Sequence, residues 1–272
     1  MKNLLRKIFN QIGLVPLHQS KDPILQDLLA AYGELRLKPG ARGYWQHRLA
    51  SVAALGHLRD LLQVHRVGTV VDVGANLGQF GLRLRKSGFQ GTILSIEPMR
   101  QARAKLEQVA ALHPPWRVFP NALGSRAEEK KLQIFKDDTF SSLHSVTAEG
   151  KRIFGSYVEA QAEEVVKIET LDRLLLGNLR QGIQGPVLLK TDTQGHDLEV
   201  LQGGVEFLKQ TSVVLTEAAV EVIYEGAPVF TEILQFLKEK GFEASGFYPF
   251  SHRPETLAMI EFDAFFVRKK DG

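Results

Sequence analysis

The chain has 272 residues, 44% of them hydrophobic and 24% charged, which suits one large domain or a domain with an appendage. It contains no cysteine, so disulfide frameworks, thiolate zinc sites and cysteine nucleophiles are excluded, and any metal would need His, Asp or Glu ligands. The 34 bases stand against 31 acids for a net charge of +3, a mixed surface rather than the basic stripe of a nucleic-acid binder, so no nucleic-acid partner is expected.

No run approaches the roughly 18 consecutive apolar residues of a membrane span, and no secretory leader pattern is visible, so a cytoplasmic location is expected. The opening "MKNLLRKIFNQIG" places Leu4, Leu5, Ile8, Phe9 and Ile12 on one helical face and Lys2, Arg6 and Lys7 elsewhere. Two readings of residues 1–13 stand: weak contact with an anionic membrane surface, or packing on the body of the protein or on a second subunit of a homo-oligomer. Pro16, Pro23 and "KPGARG" punctuate the rest of this N-terminal region, and helices are expected over 24–35 and 44–64. From Gly68 onward β-branched runs alternate with helical periodicity, which divides the chain into a helical N-terminal segment, 1–65, and an α/β domain, 66–272.

In that domain strands are expected at 69–73, 92–97, 117–120, 132–136, 165–169, 187–191, 212–217, 242–248 and 260–267, with helices at 78–87, 100–112, 197–209 and 230–240. The alternation predicts a doubly wound, mostly parallel sheet of the Rossmann-like kind, closed by a C-terminal antiparallel strand pair, with ligands at the carboxyl ends of the strands. The stretch "VVDVGANLGQFG" is the first strand running into a loop. Gly74 permits a sharp turn and close approach of a ligand, and Gly78 sits where a helix begins and N–H groups are free. Glu97, twenty-three residues after Gly74 at the end of the next strand, can accept both hydroxyls of a ribose. These features imply a nucleoside ligand. Asn76 stands where a dinucleotide fingerprint has glycine, and no Gly-Lys-Ser/Thr follows, so pyrophosphate is not indicated.

"VVDVGANLGQFG" together with "SIEP" resembles the first two motifs of class I S-adenosylmethionine-dependent methyltransferases. "NALGS", "FSSLH", "VKIETLD", "LLKTDTQGHDLEVLQGG", "VVLTEAAVEVIYEGAPVFTEI" and "DAFFVR" narrow the resemblance to the FkbM-type family over residues 67–268. The resemblance implies S-adenosylmethionine as cofactor, with Asp72, Gly74 and Asn76 at its methionine part, Glu97 at its ribose, and Asn121 and Ala122 beside its adenine. The chemistry suits it: amides at a helix start fit a carboxylate, Asp72 an ammonium and Glu97 a diol. Many relatives have Lys-Ile-Asp-Val-Glu-Gly where this chain has Lys190-Thr191-Asp192-Thr193-Gln194-Gly195. The Gln form is similar to members associated with glycan and lipopolysaccharide modification. It removes a carboxylate that could act as base or metal ligand.

The expected activity is therefore O-methyl transfer to a hydroxyl, or secondarily a carboxyl, of a sugar-containing small molecule, cell-surface glycan precursor or secondary metabolite. Asp192, at a strand tip, is read either as the catalytic or acceptor-orienting acid or, with Asp197, as a helix-start carboxylate. His196 and His144 are candidate bases, because the unperturbed pKa of a histidine side chain suits that role, although a histidine also serves packing. Lys190, Ser141, Ser142, Glu217 and Tyr224 are candidates for the acceptor side. No bound metal is expected; Asp192, Glu217 and His196 are the convergent ligands if there were one. A nicotinamide-dependent oxidoreductase, or an inactive nucleoside-binding scaffold, would use the same opening strand, loop and acid.

Overall fold

The computed structural model describes residue 26 and residues 44–177, 183–253 and 255–270; the amphipathic residues 1–13 and the expected helix over 24–35, apart from Gln26, lie outside them. The first element is helix α1 (Tyr44–Val64). Strand β1 (Thr69–Val73) is buried at every position, as are β2 (Thr92–Ile96) and β7 (Val187–Thr191). Continuous apolar runs of this kind belong in a parallel sheet covered on both faces. Between β1 and β7 the chain forms α2 (Gln79–Lys86), α3 (Arg100–Ala111), β3 (Trp116–Phe119), β4 (Ala122–Leu123), β5 (Glu128–Phe135), α4 (Ala148–Phe154) and β6 (Ala160–Glu169). After β7 come α5 (Asp197–Gln202), α6 (Val205–Leu208), β8 (Thr211–Ala219), α7 (Phe230–Glu239), β9 (Phe242–His252) and β10 (Met259–Arg268).

The main sheet has seven strands in the order β3-β2-β1-β7-β8-β10-β9. The first five run parallel, whereas β10 is antiparallel to both β8 and β9. The chain winds from β1 outward to β3, then crosses back to place β7 on the other flank of β1. That reversal opens a crevice above the carboxyl ends of β1 and β7. Register sets the polar groups beneath it, because Asp72 on β1 pairs laterally with Lys190 on β7.

The structure departs from the expected single sheet. β5 and β6 leave it and form, with β4, a separate three-stranded sheet in the order β4-β6-β5. Their burial explains the separation: buried Val166 and Ile168 alternate with exposed Val165 and Lys167 along β6, which suits a sheet with one open face. Its covered side carries Leu132, Val166 and Ile168 onto Met99, Ala102 and Ala122. The expected helix over 197–209 is also broken, into α5 and α6, at Gly203 and Gly204. A Cβ on Gly203 would lie 2.0 Å from the Gly124 carbonyl oxygen. Asp172 then caps the new helix, accepting from the amides of Phe207 at 2.6 Å and Glu206 at 3.1 Å.

Helix α1 buries Ala54, Leu58, Leu61 and Leu62 in the same core cluster as Val70, Leu84 and Phe265. His57 extends the contact to β9, its Nε2 lying 2.9 Å from Ser245 Oγ. Among the described residues no helix is long and apolar enough to cross a membrane.

Candidate active site

A cavity of about 310 Å³ opens above the carboxyl ends of β1, β2 and β7. Gly74, Asn76, Glu97, Asn121 and Ala122 line it, as do Ser141, Lys190 and Asp192. Most of the residues expected around a nucleoside therefore meet at one place.

Glu97 is the best defined of them. It is 3% exposed, and its two oxygens accept from the Asn76 amide at 2.7 Å and the Met99 amide at 2.8 Å. Burial pushes its carboxyl up to about 7 despite those two amide bonds. Each oxygen retains a lone pair for a further donor, which a vicinal diol supplies. Asn76 holds a left-handed backbone, φ 46°, and its side-chain Oδ1 is buried without a partner among the described residues. Such an orphan acceptor in a cavity wall is a place for a ligand donor.

Asp72 and Gly78 take other positions. Asp72 is fully buried and does not line the cavity; it stands under Lys190, whose ammonium is 3.0 Å from Asp72 Oδ1 and 3.2 Å from Asp192 Oδ2. Burial alone would lower the Lys190 ammonium, but the flanking Asp192 and Asp72 charges carry it above the usual lysine value. Burial raises the Asp72 carboxyl, with the Lys190 charge opposing. The Gly78 amide is already used, donating to the Ala75 carbonyl at 2.8 Å, and a Cβ there would lie 2.8 Å from Leu106. Gly74, at φ 74°, would place a Cβ 1.9 Å from the Asp192 carbonyl oxygen, so glycine here lets β7 approach β1 as well as the cavity. In the first turn of α2 the amides of Gln79, Phe80 and Gly81 have no backbone acceptor among the described residues.

Asp192 faces two spaces. Its side chain keeps 40% of its surface open, and with Thr139 and Gln194 it lines both the first cavity and a second of about 370 Å³. Gln194, read from the sequence as a lost carboxylate, ties this wall together. Its Nε2 donates to Asp192 Oδ1 at 3.0 Å and to Glu217 Oε2 at 2.6 Å, and its Oε1 shares the Tyr224 hydroxyl, at 2.8 Å, with the Phe140 carbonyl. Burial pushes the Asp192 carboxyl up, but the Lys190 charge and the bonds from Glu217, Gln194 and Lys190 outweigh it and hold it below the usual range. Glu217 moves the other way, raised well above the ordinary value by burial and by the Asp192 charge. Ser142 supports the wall from behind, its hydroxyl donating to the Gln194 carbonyl at 2.6 Å.

The two histidines lie outside both cavities. His144 Nδ1 is 2.9 Å from the Glu225 carbonyl, which only accepts, so this nitrogen carries the proton; His144 Nε2 then accepts from His196 Nδ1 at 2.9 Å. Burial, followed by the His144 and Lys130 charges, lowers the His196 imidazole to about 4. Glu199 completes a trio with them whose ligating atoms lie within 4.8 Å of one another.

Several wall residues escaped the sequence reading. Gln79, Phe80 and Arg83 project from one face of α2, at a spacing its helical period could have given. Glu261 and Asp263 line the second cavity; they are two acids two residues apart in a strand otherwise apolar from Met259 to Val267, hence on one face of β10.

The first cavity carries groups suited to S-adenosylmethionine: Glu97 would hold its ribose hydroxyls, Asn76 Oδ1 would accept from a donor, and the first-turn amides of α2 with Arg83 would face its carboxylate. Met99, Leu123, Leu132 and Leu143 supply apolar surface for a base.

The methyltransferase FkbM domain model matches residues 72–244. Methyltransferase sdnD of Sordaria araneosa is 24% identical over 213 residues, 69% of this chain and 78% of that protein. Among solved structures, magnesium protoporphyrin IX methyltransferase from Synechocystis PCC 6803 with bound SAM aligns at a TM-score of 0.42 and 12% identity, over 98% of this chain and 97% of that one. The Burkholderia thailandensis 1,6-didemethyltoxoflavin-N1-methyltransferase aligns at 0.43 and 9% identity, over 94% and 92%. The family match over most of the chain, with a cavity built at the motifs that carry it, makes this chain a member of the FkbM methyltransferase family and a methyltransferase of the S-adenosylmethionine-dependent type.

Proposed function

We propose that the enzyme transfers methyl to a hydroxyl oxygen of a sugar-containing acceptor, a small molecule or a glycan precursor, seated in the second cavity. The observation that carries this reading is the position of Asp192, whose carboxylate stands in the wall common to both cavities. S-adenosylmethionine supplies an electrophilic methyl group. An acceptor oxygen then has to be held in line with it, and orientation of this kind provides much of the rate.

Asp192 is suited to that task. Lys190 on Oδ2 and Gln194 on Oδ1 fix its carboxylate while 40% of the side chain stays open. A carboxylate held below the usual range is a weak base toward a free alcohol. It is strong enough late in the transfer, because the oxygen becomes a far stronger acid as it gains the methyl carbon. The proton passes to Asp192, and Lys190 stabilises the ionised carboxylate beforehand. Histidine catalysis has no support in this geometry, since the His144–His196 pair lies outside both cavities.

The test is S-adenosylhomocysteine release with a panel of sugar acceptors, followed by NMR of the product. Asp192→Asn should lower kcat by about 10²- to 10⁴-fold while S-adenosylhomocysteine affinity stays within a few fold. Unchanged kcat, or a methyl group on nitrogen or carbon, would overturn the reading.

A further inference from the structure

We propose that the second cavity recognises an ammonium group, so that the acceptor is an amino-bearing polyol whose protonated amine lies close to the methylated hydroxyl. This rests on reading that cavity as the acceptor site.

The first observation is an excess of carboxylates. Asp192, Glu217, Glu261 and Asp263 all line the space of about 370 Å³. Lys190 answers Asp192, but its ammonium is shared with Asp72 at 3.0 Å and faces the first cavity. Arg253 is engaged by Glu149 and Glu221. Glu217 and Asp263 are direct cross-strand partners on β8 and β10, an arrangement of like charges that destabilises a sheet.

The second observation is Glu261 itself. It is 7% exposed, lines the cavity, and its carboxylate has no hydrogen bond or ion pair among the described residues. Buried acids are retained when something pairs with them. Three rings, Phe140, Phe154 and Phe250, share the wall with Thr139, Gln194 and Ser251. Aromatic faces beside carboxylates attract a desolvated ammonium and offer nothing to an anion. A carboxylate acceptor is thus disfavoured by the same groups that favour a cation.

Spacing separates an organic ammonium from a bare metal ion. Among the described residues the group of three that converges as a metal ion requires is His144, His196 and Glu199, and none of these four acids belongs to it. The acids surround a space large enough for a sugar ring rather than converge on a point. Their protonation fits too: burial and neighbouring carboxylates raise Glu261 to about 8 and Asp263 to about 6, so a bound ammonium would displace protons.

A minimal probe carries both groups, amine and hydroxyl: ethanolammonium, compared with neutral ethylene glycol and with magnesium chloride, each titrated into the full chain saturated with S-adenosylhomocysteine. Binding is read from carboxyl carbon NMR signals of Glu217, Glu261 and Asp263. Ethanolammonium should bind at least about tenfold more tightly than ethylene glycol, and Glu261→Gln should remove that preference. Wild-type and variant circular dichroism verify that both are folded. Equal binding of the two probes, binding of neither, or tighter binding of magnesium would overturn the ammonium site. Turnover of neutral sugars without preference for amino sugars would overturn it too, yet leave O-methyl transfer standing. Methylation of the amine nitrogen would overturn both readings, because a protonated amine has no lone pair with which to accept the methyl group.

Discussion

Replacing Gln194 by Glu tests the wall between the two cavities directly. The side-chain amide now donates to Asp192 at 3.0 Å and Glu217 at 2.6 Å. A carboxylate in its place loses both bonds and adds a third acid between two others. Hydrogen bonds to charged groups contribute roughly 1.5–3 kcal/mol each, so their loss amounts to about 3–6 kcal/mol if every acid stays ionised. The protein limits this by binding a proton. The new acid would touch Asp192, Glu217 and Tyr224, with Glu261 and Asp197 acting on the same group of acids and Lys190 bound to Asp192, so the acids outnumber the single ammonium. Its folded pKa is therefore raised above its unfolded value, so its contribution is favourable at low pH and lost as pH rises through the folded value. At about 1.36 kcal/mol per pH unit, the variant should lose up to about 4 kcal/mol relative to wild type between pH 5 and pH 8. Urea unfolding of both proteins at pH 5, 6.5 and 8 measures the difference. A destabilisation that is the same at all three pH values, or absent, would refute the placement of Gln194 between two carboxylates.

Glu97, raised to about 7 by burial, should stabilise the free protein below pH 4.5 and lose about 3 kcal/mol as pH rises to 7; Glu97→Gln should flatten that slope in chemical unfolding. His196, lowered to about 4 by burial and by its charged neighbours, acts in the opposite direction. Its neutral form is favoured above pH 6.5, and about 3 kcal/mol is lost as pH falls towards 4, so His196→Asn should reduce the acid sensitivity of the unfolding midpoint. Gly74→Ala meets both a positive φ and a Cβ 1.9 Å from the Asp192 carbonyl oxygen; it should destabilise by about 3 kcal/mol or more and lower kcat through displacement of Asp192, measured by unfolding and turnover.

The sequence was most informative where one local signal determines an outcome. The buried runs of β1 and β7 and the long helix α1 match their expected ranges residue for residue, because continuous apolar strands and uninterrupted helical periods each have one solution. Glu97 was legible for the same reason: a strand end followed by proline and a helix places an acid at the crevice. What escaped depends on contacts distant in sequence. The separation of β5 and β6 into their own sheet follows from which face is covered, and periodicity alone does not encode the partner. Glu261 and Asp263 are 69 and 71 residues beyond Asp192 in the chain, and only the pairing of β10 with β8 brings them to the site. Gln194 carried the least local signal: one position read as a missing carboxylate holds two others in place.

The most direct measurement is calorimetric titration of the purified protein with S-adenosylhomocysteine, repeated with Glu97→Ala and with NAD. Binding in the micromolar range, about −8 kcal/mol, that falls at least about 100-fold in the variant and is absent for NAD, is the expected result. Well-folded protein that does not bind S-adenosylhomocysteine, or binds it equally well without the Glu97 carboxylate, would contradict the assignment of this cavity to the cofactor.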